Sequence, residues 1–423
     1  MKKSLLAMAA LMGVAILPSQ AAMIRLDEDT FANTGLKLQI WAQRLGKAQN
    51  GGQDYTDFSI ANARVYFSGQ VNKYVQFGAN LDFGLGRNLN LQGRTQHSGT
   101  NETRVNDAFI NLKLMDEVQL MAGLYRVPFS RASLTDSYTY IIPTGYGWGI
   151  ATGSAGNALA INPYAPFSVG TALGNIYRDA GVTLWGNIAD GLVKYQLGVF
   201  DGRYDHATGA LGPKDKLAFA GRIQFTPTML GYKAEKGFTL ADTYLGTQNV
   251  LTIGLGYTFQ KAQTTGQPFN YSKNAKAWTV DAMWEQKFQD FVPNLQLGYI
   301  NQKDVANAAL PNVNYGKAEA FYVQGQLLYD QVVGLGKPAL AIRWEQNKNK
   351  SLAQYDTTTG TVTAVAGTPK VTRTGVFLNY YIKGQDAKIQ LGADFVNLNS
   401  DAKANVPNGK NFTDWTLALQ TQF

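Results

Sequence analysis

Along most of this chain apolar residues return at every second position. Between Asn411 and Phe423, Trp415, Leu417, Leu419 and Phe423 fall on one side, while Asp414, Thr416, Ala418, Gln420 and Gln422 fall on the other. Side chains alternate across a β-strand, whereas a helix would group them every three or four residues. The segment is therefore expected to be a strand with one greasy and one wet face. A soluble sandwich alternates in the same way, so the number of strands, their connections and what precedes them have to decide between the two.

The repeats are many. Leu36, Leu38 and Ile40 oppose Lys37, Gln39 and Trp41. Ala61, Ala63, Val65, Phe67 and Val71 oppose Asn62, Arg64, Tyr66, Ser68 and Gln70. Only Asn72-Lys73 separates that run from the next, Val75 to Phe83, which forces an antiparallel hairpin. Further strands are expected near 108–114, 118–125, 180–186, 192–200, 217–225, 251–259, 280–284, 295–299, 323–327, 340–344, 376–382 and 389–395. With the last segment the count is about sixteen, an even number that lets the first and last strands pair and leaves no open edge. Connections run long, short, long, short, as in a transmembrane antiparallel β-barrel with short periplasmic turns and longer external loops. That all-β barrel is the expected fold.

Two connections break the rhythm. Val127 to Tyr177 is rich in glycine and aromatic residues and has no sustained period. A stretch of this length is usually functional, and it is expected to fold into the lumen as a constriction loop, with an external flap as the alternative. Thr226 to Gln248 stands where a short turn is expected; a small helix or plug on the periplasmic side is one form it could take, and nothing in the sequence explains its length.

The amino terminus reads as a secretory signal peptide over residues 1–21. Lys2 and Lys3 precede the apolar run Leu5 to Leu17, and Ser19-Gln20-Ala21 offers a cleavage site before Ala22. Residues 22–423 then form a single barrel. Past that leader no run of ~18 apolar residues occurs, so no helical span is expected. Cysteine is absent, which excludes disulfides and thiolate metal sites. The net charge of +8 is spread along the chain rather than clustered, so no nucleic-acid partner is indicated. No cofactor is expected either.

Charge placement supports two unlike faces. Within the expected strands every charged residue lies opposite the apolar positions, including Lys37, Arg64, Asp82, Asp107, Lys113, Arg222, Arg343 and Arg373. A lipid-facing Arg or Lys at mid-membrane would cost roughly 2 to 4 kcal/mol. Candidates for lining the pore or its constriction are Arg64, Lys113, Arg126, Arg131, Arg222, Arg343, Arg373, Asp82 and Asp107. In bulk-like water one base about 6 Å from an anion contributes roughly 0.7 kcal/mol, so a charge preference needs several unpaired bases at one height. A mild anion preference set by Arg64, Arg126, Arg131, Arg222, Arg343 and Arg373 is one expectation. The other is that several of them brace the long loop through ion pairs with Asp82 and Asp107. Tyr257, Trp284, Trp344 and Trp415 fit interface belts. Tyr138, Tyr140, Tyr146, Trp148 and Tyr164 either pack the loop or form an apolar slide.

Catalysis finds little support. Only His97 and His206 could act as imidazole bases, and both fall in expected external loops. Asp205 and His206 are neighbours, whose side chains point apart in a strand-like segment. No phosphate loop, His-Glu-x-x-His pattern or nucleophile elbow is present. A barrel with a surface function, as adhesin, receptor or protease, is the competing class.

Several short stretches carry a family resemblance. They are Phe58-Ser59-Ile60-Ala61-Asn62-Ala63-Arg64-Val65, Gly123 to Ser130 followed by Leu134-Thr135-Asp136-Ser137, and Arg178-Asp179-Ala180-Gly181-Val182. Together with the order of elements they resemble the phosphate-selective porin O and P family. The resemblance implies a sixteen-stranded homotrimeric channel in the outer membrane that passes small hydrophilic solutes. Phosphate selectivity in that family rests on many bases in the constriction. Between Arg126 and Arg178 this chain offers only Arg131, beside Asp136, so a phosphate preference is not carried over.

Overall fold

The computed structural model describes residues 22–46, 54–83, 104–146, 178–202, 216–261, 274–304, 307–309, 312–356, 362–364, 367–404 and 410–423. Nineteen strands join one sheet, and sixteen of them form a closed antiparallel ring. In chain order the ring is β1 Phe31–Leu45, β2 Tyr55–Asn72, β3 Val75–Asp82, β4 Arg104–Met115, β5 Val118–Arg126, β6 Arg178–Ile188, β7 Val193–Phe200 and β8 Ala218–Phe225. It continues with β9 Val250–Gln260, β10 Ala275–Glu285, β11 Phe291–Lys303, β12 Asn312–Tyr329, β13 Lys337–Asp356, β14 Lys370–Lys383, β15 Ala387–Leu398 and β16 Phe412–Gln422. Short strands at Ala22–Arg25, Asn307–Ala309 and Val362–Ala364 pair with β1, β12 and β13.

Closure falls between β16 and β1. Their register runs from Trp415↔Arg44 to Gln422↔Lys37, and beyond it the backbones of Phe423 and Leu36 exchange two hydrogen bonds. Each ring strand thus has a partner on both sides, which is what a sheet in hydrocarbon needs.

The packing is inside out. Leu197, Leu255 and Leu378 are 55%, 59% and 62% exposed on the outer face, while Gln196 and Asn379, one residue removed, and Thr258, three residues removed, are buried. Aromatic rings pair on that outer face, Trp278 with Tyr299 and Phe321 with Trp344. Bulges shift the alternation, among them one on β2 and one on β4. Against β1, Gln39 pairs with Asn62 and Ile40 with Ile60, so Ala61 is the extra residue. Phe58 therefore faces outward at an even position, whereas beyond the bulge the odd-numbered Phe67 does so. Asn106 plays the same part on β4, between the pairs Asn80↔Asp107 and Leu81↔Val105. An extra residue of this kind reverses which parity meets lipid.

At one end of the barrel the connections are short: 73–74, 116–117, 189–192, 286–290, 330–336 and 384–386. Thr226 to Asn249, between β8 and β9, belongs to that end and is the exception. Replacing the mid-strand Leu255 with Arg should destabilise the barrel by roughly 2 to 4 kcal/mol. Urea titration of the protein refolded into lipid vesicles would show it as a lowered midpoint.

Candidate functional site: the barrel lumen

The chain leaves β5 at Arg126 and turns inward. A one-turn helix, α1 (Arg131–Leu134), follows, with Ser130 as its cap. The Ser133 N–H donates to Ser130 Oγ and the Ser130 N–H to Ser133 Oγ, each at 3.0 Å, so two otherwise orphaned donors are satisfied. A 3-10 turn (Ser137–Thr139) is capped by the Asp136 carboxylate, which accepts from the Ser137 N–H at 2.9 Å. Room for the loop comes from β9, whose inward positions are Thr252, Gly254, Gly256 and Thr258. A Cβ on Gly256 would overlap the Phe129 carbonyl, and one on Gly254 the Arg222 guanidinium.

The loop then reaches the far wall. Thr144 Oγ1 donates to Asp394 on β15 at 2.8 Å, and Arg373 on β14 donates to the Gly145 carbonyl at 2.5 Å. Lys388 Nζ donates to the carbonyls of Tyr138 and Tyr140 at 2.8 and 3.0 Å. Tyr146 packs edge-on against Tyr140 and Tyr322, with centroids 5.6 and 5.0 Å apart. Tyr140 and Tyr146 thus pack the loop, while Tyr138 stays half-buried. Residues 147–177, with Trp148 and Tyr164, lie outside the described residues, as do His97, His206 and the leader at 1–21.

A second segment enters from the opposite end. Thr226 to Asn249 starts with a 3-10 turn (Thr228–Leu230) and then runs inward until it meets the loop. Thr135 and Leu240 form a parallel β-bridge, with the Asp136 N–H donating to the Leu240 carbonyl and the Leu240 N–H to the Leu134 carbonyl, each at 3.1 Å. Arg131 makes a two-pronged ion pair with Glu235 at 2.7 and 2.9 Å, and both side chains are at most 1% exposed. Phe238 and Leu240 enter an apolar cluster with Tyr125, Leu134, Trp185 and Phe200. Burial alone would raise the Glu235 carboxyl, but the Arg131 charge and its hydrogen bonds, with Lys194 and Tyr244, outweigh it and hold it at about 2. Among the described residues Asp242 makes no ion pair, and Arg131 and Arg343 act on it only from a distance. Burial pushes its carboxyl above the usual range, although Tyr146 donates to it at 2.7 Å.

These contacts decide where the expected site residues stand. Arg222 pairs with Asp281 at 2.6 Å, Arg343 with Glu345 at 3.6 Å, and Arg373 with Glu345 at 2.9 Å. These arginines and Arg131 are buried where the two inward segments fill the barrel. Arg64 pairs with Asp82 at 2.8 Å and Arg126 with Asp136 at 3.6 Å. Lys113 sits at the end of β4 beside the short turn, 2.6 Å from Asp116. Asp82 and Asp107 bond to wall bases, the latter to Arg178 at 2.7 and 3.0 Å. Carboxylates that do touch the loop are Glu235, Asp242, Asp281 and Asp394.

Beside β1 to β4 the lumen is filled less completely. Arg64, Tyr66, Ser68, Asp82 and Asp107 on the wall, and Asp136, Ser137 and Tyr138 on the loop, keep part of their surface exposed. Lys37 bridges the two sides, donating to Ser137 Oγ at 2.8 Å with its ammonium 5.1 Å from the Tyr138 ring centre. Burial would raise the Asp136 carboxyl, yet Arg126, Lys37, Arg64 and Arg178 together hold it below the usual range. Lys37 and Arg178 complete this charge set without being among the residues singled out from the sequence. Lys37 was legible as a polar-face position on β1, whereas nothing local marks Arg178 as a partner of Asp107. A separate cavity of about 470 Å³ opens at the short-turn end, lined by Thr139, Tyr244, Leu328, Tyr381 and Gln385 among others.

A sixteen-stranded cylinder, apolar outside and polar within, has the β-barrel fold of the outer-membrane porins. Residues 32–147 match the model of the family of phosphate-selective porins O and P. The fold is similar to that of Salmonella typhi OmpF, solved with daunomycin, at a TM-score of 0.55 and 12% identity over 95% of this chain and 100% of that one. Pseudomonas putida OprB gives 0.54 and 10% over 93% and 94%, and the anion-selective porin of Comamonas acidovorans 0.53 and 10% over 93% and 100%. An uncharacterised protein of Aquifex aeolicus (strain VF5) is 25% identical over 227 residues, which is 50% of this chain and 49% of that relative.

Glu235→Gln would leave Arg131 buried without its counter-charge, a change expected to cost about 3 to 5 kcal/mol. Thermal unfolding in detergent would register it. With a folded value of about 2 against an ordinary 4.5, the Glu235 contribution is complete above pH 4.5 and fades as the pH falls through 2. The deficit of the variant should therefore be the same at pH 7 as at pH 5.

Proposed function

We propose that this barrel allows passive diffusion of small hydrophilic solutes and performs no catalysis. The passage lies between the β1–β4 wall and Asp136–Tyr138, and the carrying observation is the part-exposed polar lining on both of those sides. Residues 127–177 act as the constriction loop, and residues 1–21 are removed on export. The family resemblance over 32–147 supports a homotrimer surrounded by outer-membrane lipid.

Selectivity follows from the charges at that gap. Among the described residues Lys37, Arg64, Arg126 and Arg178 face Asp82, Asp107 and Asp136, four bases against three acids and so a surplus of one formal positive charge. At about 6 Å that charge is worth roughly 0.7 kcal/mol to an anion in bulk-like water, or about threefold, and salt reduces it. The anion preference is therefore mild, and it owes little to Arg222, Arg343 and Arg373, which pair with Asp281 and Glu345 on the filled side of the lumen.

Planar-bilayer recording tests the reading. Step-like openings are expected, with an anion-over-cation permeability ratio of about two to three at low salt. Arg64→Ala should bring the ratio toward one, and Asp136→Ala should raise it. Since Asp136 holds its charge below the usual carboxylate range, the difference in ratio between the parent and Asp136→Ala should be the same at pH 7 as at about pH 4.5. A silent barrel would remove the reading, and unchanged selectivity in both variants would remove the assignment of its charges.

A further inference from the structure

We infer that the segment from Thr226 to Asn249 is a strut that sets the solute size limit: it keeps one side of the lumen filled and fixes the inward loop from the periplasmic end. The inference rests on the channel reading and names the element that governs its selectivity by size.

Joining β8 to β9 does not require so long a segment. The Lys233 N–H donates to the Asn249 carbonyl at 2.8 Å, so the two ends of the inward excursion lie side by side. Its length is used inside the barrel. Lys194 donates to the carbonyls of Glu235 and Gly237, Gln196 to that of Phe238, and Asn294 and Gln296 to that of Asp242. Wall side chains that water would otherwise solvate thus hold the backbone of the segment. Glu285 on β10 fixes its return, accepting from Thr243 Oγ1 at 2.7 Å and from the Gly246 N–H at 3.0 Å.

The loop in turn depends on the segment. Arg131 of α1 reaches Glu235, Thr135 bridges to Leu240, and Tyr146 donates to Asp242, so the loop is gripped near both ends of its described course. Apolar anchoring comes from Phe238 and Leu240 and, on the return, from Leu245 against Val292, Leu328, Ala339 and Tyr381. With the segment gone, most of the uncovered wall would be amide, ammonium and carboxylate groups that water can occupy. The cavity of about 470 Å³ already present between Tyr244 and the β12–β14 wall would join that space.

The test removes the strut and keeps the ring. Residues Ala234 to Gln248 are replaced by a short Gly-Ser turn, matching the short connections elsewhere at that end. In planar bilayers the conductance step should rise roughly twofold or more. In liposome swelling the variant should admit neutral oligosaccharides that the parent excludes. A folded variant with the parent's conductance and size limit, or with a smaller step, overturns the inference. A second variant does not depend on surviving the excision. The chain has no cysteine, so Thr135→Cys with Leu240→Cys gives one possible disulfide across the parallel bridge. With dissolved oxygen as the oxidant, which takes up the two electrons and two protons of the thiols, the disulfide should form and the oxidised channel should conduct like the parent. Failure to cross-link, or a channel that conducts only after reduction, shows that the conducting state lacks this contact. If the parent itself is silent, the channel reading fails first; if it conducts and these variants behave otherwise, only the strut is lost.

Discussion

Hydrocarbon offers a backbone amide no partner, and that requirement governs the rest of the molecule. A strand can meet it only sideways, so the sheet has to close. The closure between β16 and β1, continued by Phe423 and Leu36, turns the ladder into a ring. Once the ring exists, side-chain parity divides the residues into lipid and lumen sets. The apolar outer face of Leu197, Leu255 and Leu378 follows from the same constraint as the polar interior.

The interior presents a second problem, because a cylinder of this size encloses more space than its own side chains fill. Here two segments entering from opposite ends take up the excess and meet at Thr135 and Leu240. Charges do the positioning. Burying Arg131, Arg222 and Arg373 is costly unless each is met by a carboxylate, and apolar replacements of similar shape could be as stable. What the ion pairs add is placement. Arg131 between Glu235 and the Asp281 contact of its backbone N–H can dock in one way only, which fixes α1 relative to β10.

Much of this was readable in the chain. All sixteen ring strands appear in the alternation, because lipid on one side and polar contacts on the other leave a period of two in every strand. Bulges were less legible. Phe58 and Ile60 share a parity with Asn62 in the sequence, and only the pairing with β1 shows that Ala61 shifts them to the other face. The pairing of the lumen charges was not legible either. Arg131 and Glu235 are separated by 104 positions, and nothing local indicates that two interruptions of the strand pattern meet inside the barrel. One signal was available. The inward face of β9 reads Thr252, Gly254, Gly256, Thr258, a stripe without long side chains, and a lumen wall with no side chains to fill space invites a backbone to lie against it.

The same argument explains why inward-facing charge is a poor guide to the charge a solute meets. Arg222 and Arg64 both point inward from the wall, yet Arg222 lies under Phe129 and Asp281 whereas Arg64 keeps part of its surface free beside Asp82. Parity tells which face a residue occupies, and only the path of the inward segments tells which part of that face stays wet. In a barrel with a filled side, counts over the whole lumen average an internal scaffold of ion pairs with a smaller gap. The selectivity proposed for this barrel therefore has to be reasoned from the local set between β1–β4 and Asp136–Tyr138, which among the described residues holds Lys37, Arg64, Arg126 and Arg178 with Asp82, Asp107 and Asp136.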